Sequence, residues 1–329
     1  MDIIKAQNTS FQQKKRISLY VFFDINGILH DYMEFYLKEL KKISNDVVVI
    51  INGDISLKSS DKLKKNDIKF LQRENKGFDF SAWKAGIEYI GWDTIRSYDE
   101  LILCNCSCYG PIFPFSEMFS KMESTNCDFW GINRQPDKLE KYFIPGDPKS
   151  QMISHIQSYF YVFRNTAITS SAFFSWWSNL KEAKSYLEEV SHHEIQFTRY
   201  LEKSGLSSDT YMDFNKYNTL SPKGDANFYF ADTQLIEDRN PLLKRKLIFT
   251  FDEPSLNCIK YITNNTNYNE IYILNDIYRT QHISKIKYLR YRILSIITSG
   301  KRKERYKRKS LKYEFLVAYK KIIEILRPL

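Results

Sequence analysis

Short, unbroken apolar runs alternate with helix-periodic stretches along the first part of the chain. Ser18–Phe23 reads as a buried first strand, closed by Asp24-Ile25-Asn26-Gly27. A helix is predicted from Asp31 to Ile43, with Phe35, Leu37, Leu40 and Ile43 on one face. Val47–Ile51 is aliphatic throughout, too short for a helix core and typical of a central parallel strand. It ends in the polar turn Asn52-Gly53-Asp54-Ile55-Ser56. Ile68–Leu71, Leu101–Cys104 and Cys127–Ile132 read as the next three strands. Strands and helices alternating at this spacing predict a parallel-sheet α/β domain over roughly the first 135 residues.

The stretch Asn75–Ile87 follows the third of these strands. Gly77 lets the backbone leave the strand, and Asp79 or Ser81 can cap the first turn of a helix. Ala82, Ala85, Gly86 and Tyr89 fall on one face of that helix. A strand, a glycine turn and a helix N-terminus leave backbone N–H groups at a sheet's C-terminal edge. Nucleotides and phosphates bind there in open α/β folds. Taken alone, the stretch also fits an ordinary strand-to-helix turn.

Beyond the fifth strand, Arg134–Ser150 is polar and proline-punctuated, which predicts a mobile loop. Ser158–Arg164 returns to strand. Ser170–Val190 reads as a helix, with Phe173, Phe174, Trp177, Leu180, Ala183 and Leu187 at helical spacing. His192-His193-Glu194 opens another helix that stops at Gly205. Tyr229–Asp232 and Leu247–Phe251 read as peripheral strands, with a turn at Asn240-Pro241 before the second. No linker is visible before residue 283, so the expected division is one domain over 1–283 and a tail over 284–329.

Charge changes the picture of that tail. The chain carries +10, but Ser284–Leu329 alone has 15 Lys and Arg against three acidic residues, a net of +12 that leaves the remainder at −2. Two apolar stripes run through it, Ile286/Leu289/Ile293/Ile297 and Leu311/Phe315/Tyr319/Ile322/Leu326. Basic amphipathic helices of this kind fit an anionic membrane surface. A nucleic-acid partner is set aside because the tail holds no base-reading motif.

The five cysteines are odd in number and not spaced as a disulfide framework. Met1–Ser10 has no apolar leader core, and no run reaches the ~18 apolar residues of a spanning helix. The expected location is therefore cytoplasmic, peripheral at the inner face of the cell membrane. Cys104, Cys106 and Cys108 alternate along one strand and read as core packing, not as a zinc site.

Several turns fit one family pattern together. Val47–Ser56 and Asn75–Ile87 look like the second- and third-strand turns of GT-A glycosyltransferases. More closely, Arg73–Gly86, Asn105-Cys106-Ser107-Cys108-Tyr109-Gly110-Pro111, Asp128-Phe129-Trp130-Gly131 and His155-Ile156-Gln157-Ser158-Tyr159-Phe160 resemble the rhamnan synthesis protein F family, over about residues 17 to 250. The resemblance implies a GT-A-like (Rossmann-like) mixed, mostly parallel sheet flanked by helices, to which the charge pattern adds a basic C-terminal helical extension. It also implies a glycosyltransferase, a rhamnosyltransferase, moving a sugar from a dTDP- or UDP-sugar to a lipid-linked surface-polysaccharide precursor, with inversion.

Residue by residue, the resemblance assigns Glu194 as the base that takes the acceptor hydroxyl's proton, with His193 as the alternative base or an acceptor contact. Donor contacts fall to Asn52, Asp54, Arg73, Asn75, Gly77, Asp79, Asn105 and Ser107. His155, Gln157 and Tyr159 would line the acceptor pocket. One departure stands out. GT-A enzymes carry Asp-x-Asp after the fourth strand and the related family often Asn-Asp-Ser, whereas this chain has Asn105-Cys106-Ser107. Mg or Mn prefers hard carboxylate oxygens. Either ion is thus expected to be weakly held, by Asp79 or Asp128, or absent. The missing motif also admits a second reading, a catalytically inactive subunit that positions partner enzymes.

Overall fold

The computed structural model describes residues 14–135, 154–213, 232–248 and 253–280. The aliphatic runs become strands β1 (Arg16–Phe22), β2 (Asp46–Asn52), β3 (Lys69–Arg73) and β4 (Glu100–Asn105). Three helices connect them: α1 (Asp31–Ile43), α2 (Leu57–Lys65) and α3 (Phe78–Ile90). β1 pairs in parallel with both β2 and β4, with Leu19 opposite Val48 on one side and Leu103 on the other. β2 pairs in parallel with β3. Every residue of β1 and β4 is buried, as a central strand covered on both faces requires.

Three more strands complete a seven-stranded sheet in the order Ser208–Thr210, Phe129–Gly131, Phe160–Arg164, β4, β1, β2, β3. Phe160–Arg164 runs antiparallel to both of its neighbours, and the other pairs are parallel. The sheet is therefore mixed and mostly parallel, with helices against it, as the GT-A-like expectation has it.

The described chain forms two units interleaved in sequence. The first comprises 14–27, 40–105, 125–135 and 154–211, and the second 28–39, 106–124, 212–213, 232–248 and 253–280. The first holds the sheet. Its core joins Leu19, Val21, Ile50 and Leu103 to Phe80, Trp83, Phe163, Phe173, Trp177 and Phe197. The ring pairs are close, with Phe163 and Phe173 centroids 4.9 Å apart and Phe80 and Trp83 5.2 Å apart. Each such ring contributes about 2–3 kcal/mol by leaving water.

α3 is the helix that brings the site to the sheet. Its buried face is Phe80, Ala82, Trp83, Gly86 and Ile87, while Tyr89 is 60% exposed. The predicted stripe through Ala85 and Tyr89 was thus rotated, because Phe80, Trp83 and Ile87 supply the larger apolar area. Gly86 is needed for close approach: a Cβ there would stand 3.0 Å from Ile50 Cδ1.

The second unit contains a two-stranded antiparallel ribbon, Cys108–Tyr109 with Leu243–Lys244. Its helices include Phe115–Glu123, Glu253–Asn265 and Ile271–Thr280. Asp276 is fully buried and accepts from Tyr109 Oη at 2.7 Å and Arg245 Nε at 2.8 Å, with Arg279 bonded to its other oxygen. Those donors compensate a charge that would otherwise be costly to enclose.

Several expectations change. Asp232–Glu237 and Arg245–Ile248 are helical where peripheral strands were predicted at Asp232 and Leu247. The Ser170–Val190 helix is broken: Ser171–Asn179 ends at Leu180, whose extended backbone (ψ 120°) leaves the helix. Leu187, 53% exposed, does not continue its apolar face. Arg134–Gln135 pairs with His155–Ile156 instead of opening a loop. The remainder of that predicted loop, residues 229–231 and 249–251, and the whole 284–329 tail lie outside the described residues.

Candidate active site

β2 and β3 end side by side, and their last side chains build the turn that follows. Asn52 is buried; its Oδ1 accepts from Arg73 Nη1 at 2.7 Å, and its Nδ2 donates to the Phe78 carbonyl at 3.4 Å. The same Arg73 nitrogen donates to the Lys76 carbonyl at 2.9 Å. Burial lowers the Arg73 pKa, and Glu182 and Glu74 act against it. Asn52 and Arg73 thus spend these groups on shaping the turn. Asn75 and Asp54 are exposed, and a Cβ on Gly53 would lie 3.7 Å from Asn75 Cβ, so the two turns meet at one edge.

Gly77 takes a left-handed conformation at φ +67°, and Phe78 follows at φ +52°. A Cβ on Gly77 would stand 2.1 Å from Ser81 Oγ and 2.5 Å from Glu182 Cγ. No side chain of the turn caps α3, contrary to the expected role of Asp79 or Ser81. The cap position is glycine, and Asp79 is engaged elsewhere. The Phe80 N–H instead donates to Glu189 Oε1 at 3.0 Å, from a carboxylate 109 residues away.

Asp79 faces the end of β4. Asn105, buried as the last residue of that strand, donates from Nδ2 to Asp79 Oδ2 at 2.8 Å. Trp83 Nε1 donates to the Cys104 carbonyl at 3.3 Å and fixes α3 at that height. Burial pushes the Asp79 carboxyl up to about 7, Glu189 adds to the rise, the Asn105 bond opposes it, and Glu194 adds again. Asp79, Glu189 and Glu194 therefore share one electrostatic neighbourhood.

Glu189 and Glu194 belong to a π-helical turn, Glu189–Glu194, inside a helical run that starts after Ser185 and continues through Ile195–Lys203. Ser185 Oγ caps it by accepting from the Glu188 N–H at 3.2 Å. Glu194 is thus interior to the run, not at a helix start, and owes nothing to an N-terminal dipole. Its Oε1 accepts from the Ser158 N–H at 3.2 Å. His193 Nδ1 lies 2.6 Å from Glu189 Oε2, and both residues are buried. Single π-turns within α-helices are frequent at functional sites.

On the proposed acceptor side, the Gln157 N–H donates to the Asn133 carbonyl at 3.0 Å, and Asn133 Nδ2 donates to Tyr159 Oη at 2.5 Å. His155 and Tyr159 are buried. Gln157 Oε1 and Asn133 Oδ1 are buried without a hydrogen-bond partner among the described residues. Ser107 belongs to the second unit, where its carbonyl accepts from the Arg245 N–H at 3.0 Å.

Among the described residues, no three His, Cys, Asp or Glu groups are placed to hold one ion. Asp128, the second expected carboxylate, accepts from Thr166 Oγ1 at 2.6 Å and from the Ser207 N–H and Oγ at 2.8 Å each. Burial works against that charge, but the Thr166 and Ser207 bonds outweigh it and hold the carboxyl below its ordinary range. It is a strand staple. None of the five cysteines forms a disulfide, and burial pushes the Cys108 thiol up to about 11.

Sequence reading missed Glu189, which lay at the end of the predicted Ser170–Val190 helix and outside its apolar stripe. The Glu189/His193 spacing of four was its one visible signal.

The sheet, with polar and acidic groups gathered at the ends of β2, β3 and β4, makes this a mixed, mostly parallel α/β protein. The chain belongs to the rhamnan synthesis protein F family, whose model matches residues 47–325 and so runs into the basic tail. Among curated proteins it is similar to the uncharacterized protein y4gN of Sinorhizobium fredii, 22% identical over 204 residues, covering 61% of this chain and 50% of that protein. It is also similar to the virulence protein VirA of Vibrio anguillarum, 23% identical over 201 residues, covering 60% and 59%. The chain thus matches about half to three-fifths of the length of these relatives. Similar solved structures include a 4-diphosphocytidyl-2C-methyl-D-erythritol synthase (TM-score 0.38, 13% identity, 65% of this chain and 95% of that one). Another is glucosyl-3-phosphoglycerate synthase of Mycobacterium tuberculosis (TM-score 0.33, 10% identity, 59% and 81%). Among the described residues no helix is long and apolar enough to cross a membrane.

Proposed function

We propose that the chain is a nucleotide-sugar-dependent glycosyltransferase. The observation that carries this reading is the Asn105–Asp79 hydrogen bond at 2.8 Å, with Glu194 acting electrostatically on the same carboxyl. It unites the donor turn, the end of β4 and the candidate base in one unit. Family membership supports a role in surface-polysaccharide synthesis.

In this mechanism the donor's nucleotide diphosphate lies at the edge formed by Asp54, Asn75 and Gly77, near the first turn of α3. Asn52 and Arg73 hold that turn in shape. Glu194 takes the proton of the acceptor hydroxyl as its oxygen attacks the anomeric carbon. The bond from that carbon to the diphosphate oxygen breaks, and the configuration inverts. No step is routed through a metal. Rhamnose as the sugar, a dTDP- or UDP-sugar as donor and a lipid-linked glycan as acceptor complete the reading. The basic tail over 284–329 would hold the enzyme at the cytoplasmic membrane face.

Thermal shift against a panel of dTDP-, UDP- and GDP-sugars, with and without Mn, tests donor use. Stabilisation by one nucleotide class supports the reading. No stabilisation by any of them favours the inactive positioning subunit, for which the missing carboxylate at Cys106 speaks. Removal of residues 284–329 is expected to abolish binding to anionic vesicles, and unchanged binding would sink the membrane assignment.

A further inference from the structure

Glu189 is 6% exposed, and both of its oxygens are committed. Oε1 accepts from the Phe80 N–H at 3.0 Å, and Oε2 lies 2.6 Å from His193 Nδ1. A carboxylate can only accept, so two lone pairs cannot face each other at this distance. Nδ1 therefore carries the proton, and Nε2 is the ring nitrogen left for another partner. The Phe80 ring, with its centroid 5.5 Å from that of His193, limits rotation of the imidazole. The π-turn supplies the spacing, placing two residues four apart on one side of an enclosed helix.

We propose that Glu189 is a positioning residue: it fixes His193 in the Nδ1–H tautomer, so that Nε2 is offered as an acceptor to a hydroxyl of the sugar acceptor. The catalytic consequence rests on the glycosyltransferase reading; the tautomer does not. The oxygen that caps α3 and the oxygen that sets the ring belong to one carboxylate. The donor turn and the imidazole are thereby tied to the same group.

The test is ring-nitrogen NMR on the full chain, at a pH well above the ordinary histidine range so that the imidazole is neutral. Wild-type His193 is expected with Nδ1 protonated and Nε2 bare. In Glu189→Gln the Phe80 N–H still needs an acceptor, so the amide oxygen turns to it and the NH2 faces Nδ1 as a donor. The tautomer then inverts, with the fold kept. Transfer is expected to fall about 100-fold in kcat, with donor KM changed by less than about threefold, as for other wrong-tautomer variants. A proton on Nε2 in the wild type overturns the assignment without any variant. An unchanged tautomer or unchanged kcat in Glu189→Gln overturns it as well. Should the tautomer invert while neither protein uses any nucleotide sugar, the glycosyltransferase reading fails and the Glu189–His193 assignment stands.

Discussion

Asn105 Nδ2 donates to Asp79 Oδ2 at 2.8 Å, joining the last residue of β4 to the first turn of α3. The bond links two polar turns 26 residues apart and opposes the rise in proton affinity that burial, Glu189 and Glu194 give that carboxyl.

That affinity has a consequence for stability. Burial, then Glu189, raises the Asp79 pKa from 3.8 to about 7. Between those values the folded carboxyl keeps a proton that the unfolded chain has released, so wild-type stability falls as pH rises through this window. Asp79→Asn carries no such charge. Its Tm is expected to gain on the wild type steadily from about pH 4 to about pH 7. A constant Tm difference across that range, measured by calorimetry, would contradict the account.

Gly77→Ala places a Cβ at φ +67° and 2.1 Å from Ser81 Oγ. A destabilisation of about 1–3 kcal/mol is expected in chemical denaturation, together with weakened nucleotide binding, since the turn must shift.

Glu100 is 2% exposed and accepts from Arg16 Nε at 2.6 Å and Lys14 Nζ at 2.9 Å. Glu100→Ala removes the closest counter-charge from a buried guanidinium and is expected to cost about 3 kcal/mol. The check is a urea titration. Because Glu100 begins β4 and Asn105 ends it, donor affinity of the folded fraction should be unchanged.

The sheet was legible in the sequence where strands are aliphatic on both faces, as at Val47–Ile51 and Leu101–Cys104. Direction was not: Phe160–Arg164 is an apolar run like the parallel strands yet lies antiparallel to both its neighbours, and an apolar run does not encode which way a strand points. The turn after β3 was legible because glycine and asparagine mark it, although its cap was not. Glu189 reaches Phe80 through tertiary packing, which local sequence does not record. The π-turn was equally hidden, since Val190 and Ser191 carry no breaker signal, and a helix start was read at His192 within a continuous run. The Glu194 assignment rested on family resemblance, and helix position no longer supports it.

Metal dependence follows from the donor set. With a thiol at Cys106 and no assembled triad of ligands among the described residues, EDTA is expected to change the transfer rate by less than about threefold. A rate that vanishes in EDTA and returns with Mn would show that residues outside this set hold the ion.

The central claim is that donor turn and proton acceptor serve one transfer reaction. The measurement is nucleotide-diphosphate release from the donor selected by thermal shift, in wild type and Glu194→Gln. The expected result is a fall of about 100-fold or more in kcat, with donor binding retained. Equal release by both proteins, or loss of donor binding in the variant, contradicts the role given to Glu194.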